Sequence, residues 1–399
     1  MTTRLYYDDA YRTRFEGTVI RSDRRDDLYD VVLDQTAFYP TSGGQPYDLG
    51  TLGDAVVRDV VDRDDGEIVH VVDRAISAGT SIVGEIDWRR RFDHMQQHTG
   101  QHLLSAAYDR LFGARTESFH LGALSSSIDL GRELSAEQHA RVEDEANRVV
   151  WEDRRVAVRT ASPDEARTLP LRKESLRDGP LRLIEVEEFD LSACGGTHVA
   201  RTGGIGIIAI AGWEKFRGGT RVEFLSGGRA LRRFRDWRDA LAGTTRHLSV
   251  HPAELAAAVE KLQMDARQLQ KTIRSQQEQL ARHEAAALVA RAQRSGDRLV
   301  LVDAPEGWDA TGLKTLAAAA TALEPQLAVA LFTTTTPAQA VVAAAPSSGI
   351  DASAVLKGLI SAFGGKGGGR RELAQGGGLT APLSDLLATA SASLRATAS

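Results

Sequence analysis

Cysteine is nearly absent from this sequence, with one residue, Cys194, among 399. A single cysteine excludes an internal disulfide framework and is typical of a chain in a reducing compartment. No stretch approaches the run of about 20 apolar residues that a membrane span requires. The N-terminal MTTRLYYDDA also lacks the apolar core of a secretory signal peptide. We therefore expect a cytoplasmic protein with no membrane partner.

Strong net charge is also missing, since the formal charge at pH 7 is only −5. This weakly acidic balance argues against indiscriminate nucleic-acid binding, although it leaves room for a local basic face. The fractions of charged and hydrophobic residues, 26% and 42%, are those of ordinary globular proteins. The length allows two to four domains.

In the first half of the chain, a strand-like hydrophobic pattern gives way to a mixed helical and strand pattern near residue 92. Residues 1–90 contain short apolar or alternating runs between charged and glycine-containing turns, which predicts a small β-barrel. From about residue 92 a mixed helical and strand pattern continues to about 245 and predicts an α+β domain at 91–247. Its helices are expected at 93–111 and 136–151, and its strands near 181–186, 205–211 and 220–225.

The second half of the chain begins with a heptad pattern, in which apolar residues follow alternating steps of four and three. The seam residues are Leu255, Val259, Leu262, Ala266, Leu269, Ile273, Gln276 and Leu280. This spacing predicts a long helix over 252–295, either in a coiled coil or packed on its own domain. Alternating strands and helices then predict a small α/β domain at 298–399. The fold expected is a multidomain α+β chain.

Two histidines stand four residues apart in HTGQHLL, within a segment of helical periodicity. Residues at i and i+4 of a helix point the same way, so His98 and His102 would present both imidazoles on one face. Such a pair can bind a metal ion, or it can be merely solvated or hydrogen-bonded. More ligands have to come from elsewhere in the chain.

The single cysteine lies in CGGTH, where Cys194 and His198 flank two glycines. This spacing suits a tight turn better than a helix. A free cysteine by itself is commonly a small buried hydrophobe. Together with His98 and His102, however, the segment completes a set of one sulfur and three nitrogens. These ligands match one tetrahedral Zn²⁺ per chain.

HTGQHLL and CGGTH together resemble the editing domain of alanyl-tRNA synthetases and of the free-standing alanyl-tRNA editing proteins. Residues 35–50 resemble the glycine-rich loop of the barrel that precedes this domain, and residues 216–227 resemble its closing basic strand. The stretch GGKGGGRRELAQGGG resembles the C-terminal domain that the synthetases share with Asp-His-His phosphoesterases. The likeness spans nearly the whole chain in the right order, as in the long form of the free-standing editing protein.

The resemblance implies hydrolysis of the ester that joins a mistaken amino acid, chiefly serine, to tRNA(Ala), and the sequence leaves open whether glycine is removed as well. A pocket for a small apolar side chain cannot strongly reject an analogue that adds a hydroxyl, so a second site must destroy the product. Only about 90 residues precede His98, and the barrel motif occupies them. We therefore expect no aminoacylation of tRNA by this chain.

The catalytic residues implied are His98, His102 and Gln101. Four protein ligands favour a closed zinc site that positions the substrate, whereas a loose fourth ligand would leave a place for an activated water. Gln101 either hydrogen-bonds the serine hydroxyl or terminal ribose, or lies on the helix surface.

Further substrate contacts are expected from the polar residues Thr116 and Ser118, which lie where the family carries a residue that reads serine. Gly43 and Gly44 would allow close approach of the RNA backbone or simply close a turn.

The RNA-binding residues are expected in two places. Residues 215–246 contain nine basic and three acidic residues, a local positive surplus in an acidic chain, and include Arg217 and Arg221. Lys366 and Arg370 stand among glycines in a second segment, which is either a flexible linker or a phosphate site. The resemblance implies that this domain holds the outer corner of tRNA and assists formation of a homodimer. Two linked sites on one tRNA would raise its effective concentration.

Two other functions are considered. A tRNA-binding protein that retains the fold and metal without hydrolysis would carry the same four ligands. A phosphoesterase, suggested by the C-terminal resemblance, requires an aspartate-rich metal cluster, and the sequence offers Asp93-His94-Met95 in place of Asp-His-His. The intact HxxxH and CxxxH favour the deacylase, since a protein that loses hydrolysis usually loses its metal ligands first.

Overall fold

A computed structural model of the protein describes residues 1–172 and 179–396. Contacts within the chain divide it into two compact units, Met1–Thr244 and Thr245–Ser399. Among the described helices, none is both long and apolar enough to cross a membrane.

The first unit begins with strands whose inward residues are apolar. They are β1 (Thr3–Arg4), β2 (Arg14–Arg25), β3 (Leu28–Leu33), β4 (Gln35–Thr36), β5 (Gly50–Leu52), β6 (Ala55–Asp62), β7 (Ile68–Val72) and β8 (Ser81–Ile86). Six of them close a barrel in the order β2-β3-β7-β6-β5-β8. Val31, Leu33, Val57 and Ile68 fill its interior. The predicted β-barrel is confirmed.

The rest of the first unit alternates helices with two small antiparallel sheets. Its elements are α1 (Trp88–Phe112), β9 (Thr116–Leu121), β10 (Ser126–Leu130), α2 (Ala136–Trp151), β11 (Val156–Ala161), α3 (Pro163–Thr168), β12 (Leu181–Val186), β13 (Asp190–Ala193), β14 (Ile208–Phe216), β15 (Gly219–Ser226) and α4 (Gly228–Leu248). One sheet has the order β14-β15-β10-β9 and the other β11-β12-β13. Residues of α1, α2 and the first sheet share one apolar core.

The central helix α1 is longer than the predicted 93–111 because its caps lie farther out. The Asp87 carboxylate accepts a hydrogen bond from the Arg90 N–H and begins the helix. Gly113, with φ of 60°, ends it in the left-handed conformation. The strand expected at 205–211 also needs correction. It begins at Ile208, because a short 3₁₀ turn precedes it and Gly206 has φ of 84°.

A buried ion pair fixes α1 to the loop that follows β4. Arg91 and Asp48 are both fully buried, and the Arg91 Nε lies 3.0 Å from the Asp48 Oδ2. The guanidinium also donates to the carbonyls of Ala10 and Ala37, while Asp48 accepts from the Tyr39 N–H. Each polar atom of the pair thus has a partner, which a buried charge requires.

The second unit contains one mixed sheet between helices. Its elements are α5 (Leu255–Ala290), β16 (Gln293–Ser295), β17 (Arg298–Asp303), α6 (Ala310–Leu323), β18 (Leu327–Phe332), β19 (Ala338–Ala344), α7 (Ala352–Phe363), β20 (Lys366–Gly369), β21 (Leu373–Leu379) and α8 (Leu383–Arg395). The strand order is β16-β17-β18-β19-β21-β20. Helix α6 and the end of α5 share a core with one face, and α7 and α8 share a core with the other.

The long helix α5 buries only its C-terminal end. Ala281, Ala285 and Leu288 lie in the core with α6, whereas Leu262 and Leu269 of the heptad seam are 57% and 63% exposed. A long helix is confirmed, but the coiled coil stays a prediction, because a partner helix for this seam is not among the described contacts of the unit.

We expect Arg91→Leu to lower the free energy of unfolding by about 3–5 kcal/mol, because Asp48 would remain buried without its charge partner. Urea denaturation followed by tryptophan fluorescence checks this, since four of the five tryptophans lie in the first unit. The matched control is Arg14→Leu, which breaks an exposed ion pair with Glu85 at 3.7 Å and should change stability by about 0.5 kcal/mol or less. Equal effects of the two substitutions would contradict the assigned role of Arg91.

Candidate metal centre

The four side chains that the sequence predicts as metal ligands lie close together in the first unit. His98 and His102 project from α1, while Cys194 and His198 lie in the segment that follows β13. Their candidate ligand atoms all lie within 4.8 Å of one another. The three histidines are buried and Cys194 is partly exposed. The i and i+4 spacing and the CGGTH turn therefore place their donors as predicted.

Each imidazole is held through its Nδ1. The His98 Nδ1 lies 2.9 Å from the Gln45 Oε1, and the His102 Nδ1 lies 3.0 Å from the Asp190 Oδ2. The His198 Nδ1 lies 3.2 Å from the Thr99 Oγ1. Because the amide and carboxylate oxygens can only accept, and the Thr99 hydroxyl donates to the Met95 carbonyl, Nδ1 carries the proton in all three rings. Each Nε2 therefore faces the cluster and, once deprotonated, offers its lone pair, as in metal-binding histidines.

Two of the distances among these donors match the edges of a tetrahedral zinc site. The Cys194 Sγ lies 3.3 Å from the His98 Nε2 and 3.4 Å from the His198 Nε2. Zinc bonds of about 2.3 Å to sulfur and 2.05 Å to nitrogen give tetrahedral S···N edges of about 3.5 Å. The donor set could hold a metal ion, and its one thiolate and three imidazoles suit zinc.

The electrostatics of the cluster also favour a cation. Removal from water raises the pKa of the Cys194 thiol, but His98 and His198 outweigh this and hold that pKa well below its usual value. Burial lowers the pKa of His102, yet its hydrogen bonds to Asp190 and Cys194 raise the net pKa to about 9. A thiolate and a proton on one ring therefore coexist, and a bound metal ion would displace that proton.

The CGGTH turn requires a glycine at one of its two glycine positions. A Cβ on Gly196 would lie 2.2 Å from the His98 Cε1, whereas a Cβ on Gly195 would meet only the Tyr7 hydroxyl at 3.7 Å. Arg182 holds the turn by donating to the carbonyls of Cys194 and Gly196. The missing side chain of Gly196 allows His98 to reach the thiolate.

Of the polar residues predicted around the centre, Gln101 and Thr116 share a hydrogen-bond partner, whereas Ser118 has a different one. The Gln101 Nε2 donates to the Ser105 Oγ at 2.8 Å, and the Thr116 Oγ1 lies 2.7 Å from the same oxygen. Gln101 is buried, which excludes its alternative as a surface residue. The Ser118 hydroxyl donates instead to Asp129 on β10.

Gly43 and Gly44 form a tight turn, which is one of the two roles that the sequence suggested for them. Their φ angles are 55° and 84°, and Ser42 and Gln45 exchange backbone hydrogen bonds across them. A Cβ on Gly44 would lie 2.9 Å from the Phe119 ring, which itself stacks on His98 at 5.4 Å. The turn thereby presents Gln45 to the centre.

The predicted RNA-binding residues lie at surfaces of separate units. Arg221 on β15 is paired with Asp129, and its guanidinium lies 3.7 Å above the Phe216 ring. Arg217 is at the β14–β15 turn with φ of 49°. In the second unit, Lys366 begins the exposed edge strand β20 and Arg370 follows it. The glycine-rich segment is thus a strand and turn, not a flexible linker.

Sequence reasoning missed the three groups that hold the rings. Gln45 directly follows the two glycines and Thr99 lies inside HTGQH, so both stood within segments already singled out. Asp190 offered no signal of its own, because its link to His102 spans 88 positions.

Three family models match parts of this chain. Residues 11–90 match tRNA synthetases class II (A), residues 181–223 match the threonyl and alanyl tRNA synthetase second additional domain, and residues 296–396 match the DHHA1 domain. The second match contains Cys194 and His198, the two ligands that follow β13.

Curated relatives extend these matches. The alanyl-tRNA editing protein Aarsd1 of Mus musculus is 36% identical over 265 residues, 65% of this chain and 64% of that protein. The alanine–tRNA ligase of Pyrococcus furiosus is 33% identical over 390 residues, 94% of this chain and 42% of the ligase. The chain is related to the alanyl-tRNA editing proteins. It spans less than two thirds of the length of these relatives.

A solved structure, the C-Ala domain of the Aquifex aeolicus alanyl-tRNA synthetase, matches 27% of this chain and 99% of that domain at 20% identity, with a TM-score of 0.25. At this TM-score the likeness carries no argument, and residues 296–396 are described by their match to the DHHA1 domain.

We expect Gly196→Ala to weaken Zn²⁺ binding by about tenfold or more, because the added methyl overlaps the His98 ring and displaces one ligand. Competition titration against a chromogenic chelator measures the affinity. Gly195→Ala, one residue away and in ordinary contact, is the matched control and should retain the wild-type affinity. An unchanged affinity in Gly196→Ala would show that His98 is not a ligand.

Proposed function

We propose that this chain hydrolyses the ester of mischarged tRNA(Ala), with seryl-tRNA(Ala) as the chief substrate and glycyl-tRNA(Ala) as a second. The proposal assigns one zinc ion to His98, His102, Cys194 and His198. The observation that carries it is the convergence of three Nε2 atoms and one thiolate in a chain related to alanyl-tRNA editing proteins. The names of these relatives support the reaction class.

A zinc ion held by all four side chains would form a closed site that positions the substrate, and it would polarise the ester carbonyl only by expanding to five-coordinate. The protein's own groups would orient the reacting ester. Gln45, Asp190 and Thr99 fix the three rings, and the buried Gln101 lies between the two histidines of α1. An aminoacyl ester is already activated, so positioning of a water and of the carbonyl is the main requirement.

Selection of serine over alanine needs a polar group that meets the extra hydroxyl. The hydrogen-bonded set of Gln101, Ser105 and Thr116 is the best candidate, because it lies on the α1 face that carries the ligands. An alanyl ester lacks the hydroxyl that such a site would hydrogen-bond. Binding it would leave the buried polar atoms of the site unpaired, which is unfavourable. Ser118, engaged with Asp129, is the weaker candidate.

Binding of the tRNA would use both units. Arg217 and Arg221 belong to the first unit, and Lys366 and Arg370 lie on an exposed edge of the second. Two linked contacts with one RNA raise its effective concentration. A homodimer through the α5 seam belongs to the same proposal, since Leu262 and Leu269 are otherwise large exposed side chains with heptad spacing.

The decisive test compares ester loss from seryl- and alanyl-tRNA(Ala), with zinc content measured on the same samples. We expect fast loss of serine, slow loss of alanine, and loss of both zinc and activity in His102→Ala. The matched control is His283→Ala, an exposed histidine of α5, which should retain both. If zinc and tRNA bind but serine stays attached, the chain is a non-catalytic tRNA-binding protein instead.

Thr116→Val should reduce hydrolysis of seryl-tRNA(Ala) relative to alanyl-tRNA(Ala) by about tenfold, because valine keeps the shape but removes a hydrogen bond worth about 1 kcal/mol or more. The ratio of kcat/KM for the two esters measures this. Ser118→Ala is the control and should leave the ratio unchanged. A lower ratio in Ser118→Ala together with an unchanged ratio in Thr116→Val would show that Ser118, and not Thr116, recognises the serine hydroxyl.

A further inference from the structure

The first unit also contains a cavity whose lining includes none of the four candidate ligands. Its volume is about 780 Å³, within the usual range for small-ligand pockets. Cationic and aromatic side chains dominate its lining. The residues that matter here are Trp88, Arg89, Phe92, His94, Gly122 and Arg232.

The aromatic wall offers a stacking surface. Trp88 and Phe92 lie one turn apart on α1 with ring centroids 5.2 Å apart and planes tilted by 33°, and Trp88 is 37% exposed. Aromatic rings that face a cationic groove are the usual platform for nucleobases, since every base has a face that can stack.

The cations of the cavity exceed the carboxylates that oppose them. Asp93 is shared between Arg229 and Arg232, at 2.7 and 3.3 Å. Within the described part of the chain, the exposed Arg89 side chain makes no ion pair or hydrogen bond. A guanidinium without a protein partner beside stacked rings suits a phosphate group.

One buried side chain of the cavity also lacks a partner. His94 is only 3% exposed, and its Nδ1 has no hydrogen-bond partner among the described residues. Burial and the charge of Arg90 lower its pKa to about 3, so the ring is neutral. Because an unpaired buried polar atom is unfavourable, a ligand that supplies a hydrogen bond would remove this deficit.

The cavity and the candidate centre are built from the same elements. His94 precedes His98 by one turn of α1, about 6 Å along the axis. Pro46 follows Gln45, and Gly122 follows β9, whose Phe119 stacks on His98. A group bound in the cavity would therefore neighbour an esterified nucleoside bound at the candidate centre.

We propose that this cavity binds a nucleotide of the single-stranded 3′ end of the RNA, adjacent to the esterified adenosine, with its base on Trp88 and Phe92 and its phosphate on Arg89. This inference deepens the proposed function and rests on it. It assigns to the first unit a contact with the acceptor end that is separate from the metal ligands.

The test measures binding of a fluorescein-labelled, unesterified RNA tetranucleotide ending in CCA to the full chain by fluorescence anisotropy, so that the reporter lies on the RNA and not on Trp88. Trp88→Ala should weaken binding by about tenfold or more, and Trp88→Phe should restore most of it. Arg89→Ala should lower the slope of log K against log salt by about 0.7, the value for one phosphate contact of a single strand. Arg155→Ala, an exposed arginine outside the cavity, should change neither. Unchanged binding in Trp88→Ala and Arg89→Ala would overturn the proposal.

A kinetic measurement separates this inference from the proposed function. With seryl-tRNA(Ala), Trp88→Ala should lower kcat/KM by about tenfold, whereas hydrolysis of seryl-adenosine, which lacks the neighbouring nucleotide, should not change. Equal losses on both esters would overturn the assignment. If the wild-type protein hydrolyses neither ester, the proposed function fails, and the RNA-binding measurement still decides whether the cavity holds a nucleotide.

Discussion

Three hydrogen bonds on the far side of the imidazole rings determine what the candidate centre can do. Each removes the freedom of a ring to rotate or exchange tautomers, so that all three Nε2 atoms face one thiolate. Their acceptors come from a loop after β4, from β13 and from α1 itself. The fold of the first unit can be understood as the arrangement that brings these acceptors behind the rings.

The barrel is part of this arrangement. The loop after β4 is attached to α1 twice, through Gln45 at His98 and through Asp48 at Arg91. The charged contact is fully buried and anchors the loop, while the amide contact orients a ligand about two helical turns farther along. The barrel carries none of the four candidate ligands, yet through Gln45 it orients the imidazole ring of His98.

The sequence predicted the barrel, the long helix and the four convergent donors, because each depends on local periodicity or spacing. A helix brings His98 and His102 to one face wherever it begins, so an error in its first residue did not matter. Asp190 could not be found in this way, since its partner lies 88 positions away. The cavity beside Trp88 was missed for the same reason, because Trp88, Gly122 and Arg232 are brought together only by the fold.

The distance along the chain between the two halves of the centre also has a consequence during synthesis. Cys194 lies 96 positions after His98, so a ribosome adding about 5–20 residues per second adds His98 some 5–20 s before Cys194. For that interval the nascent chain offers two imidazoles and no sulfur. The centre can therefore take its final form only after most of the first unit has left the ribosome.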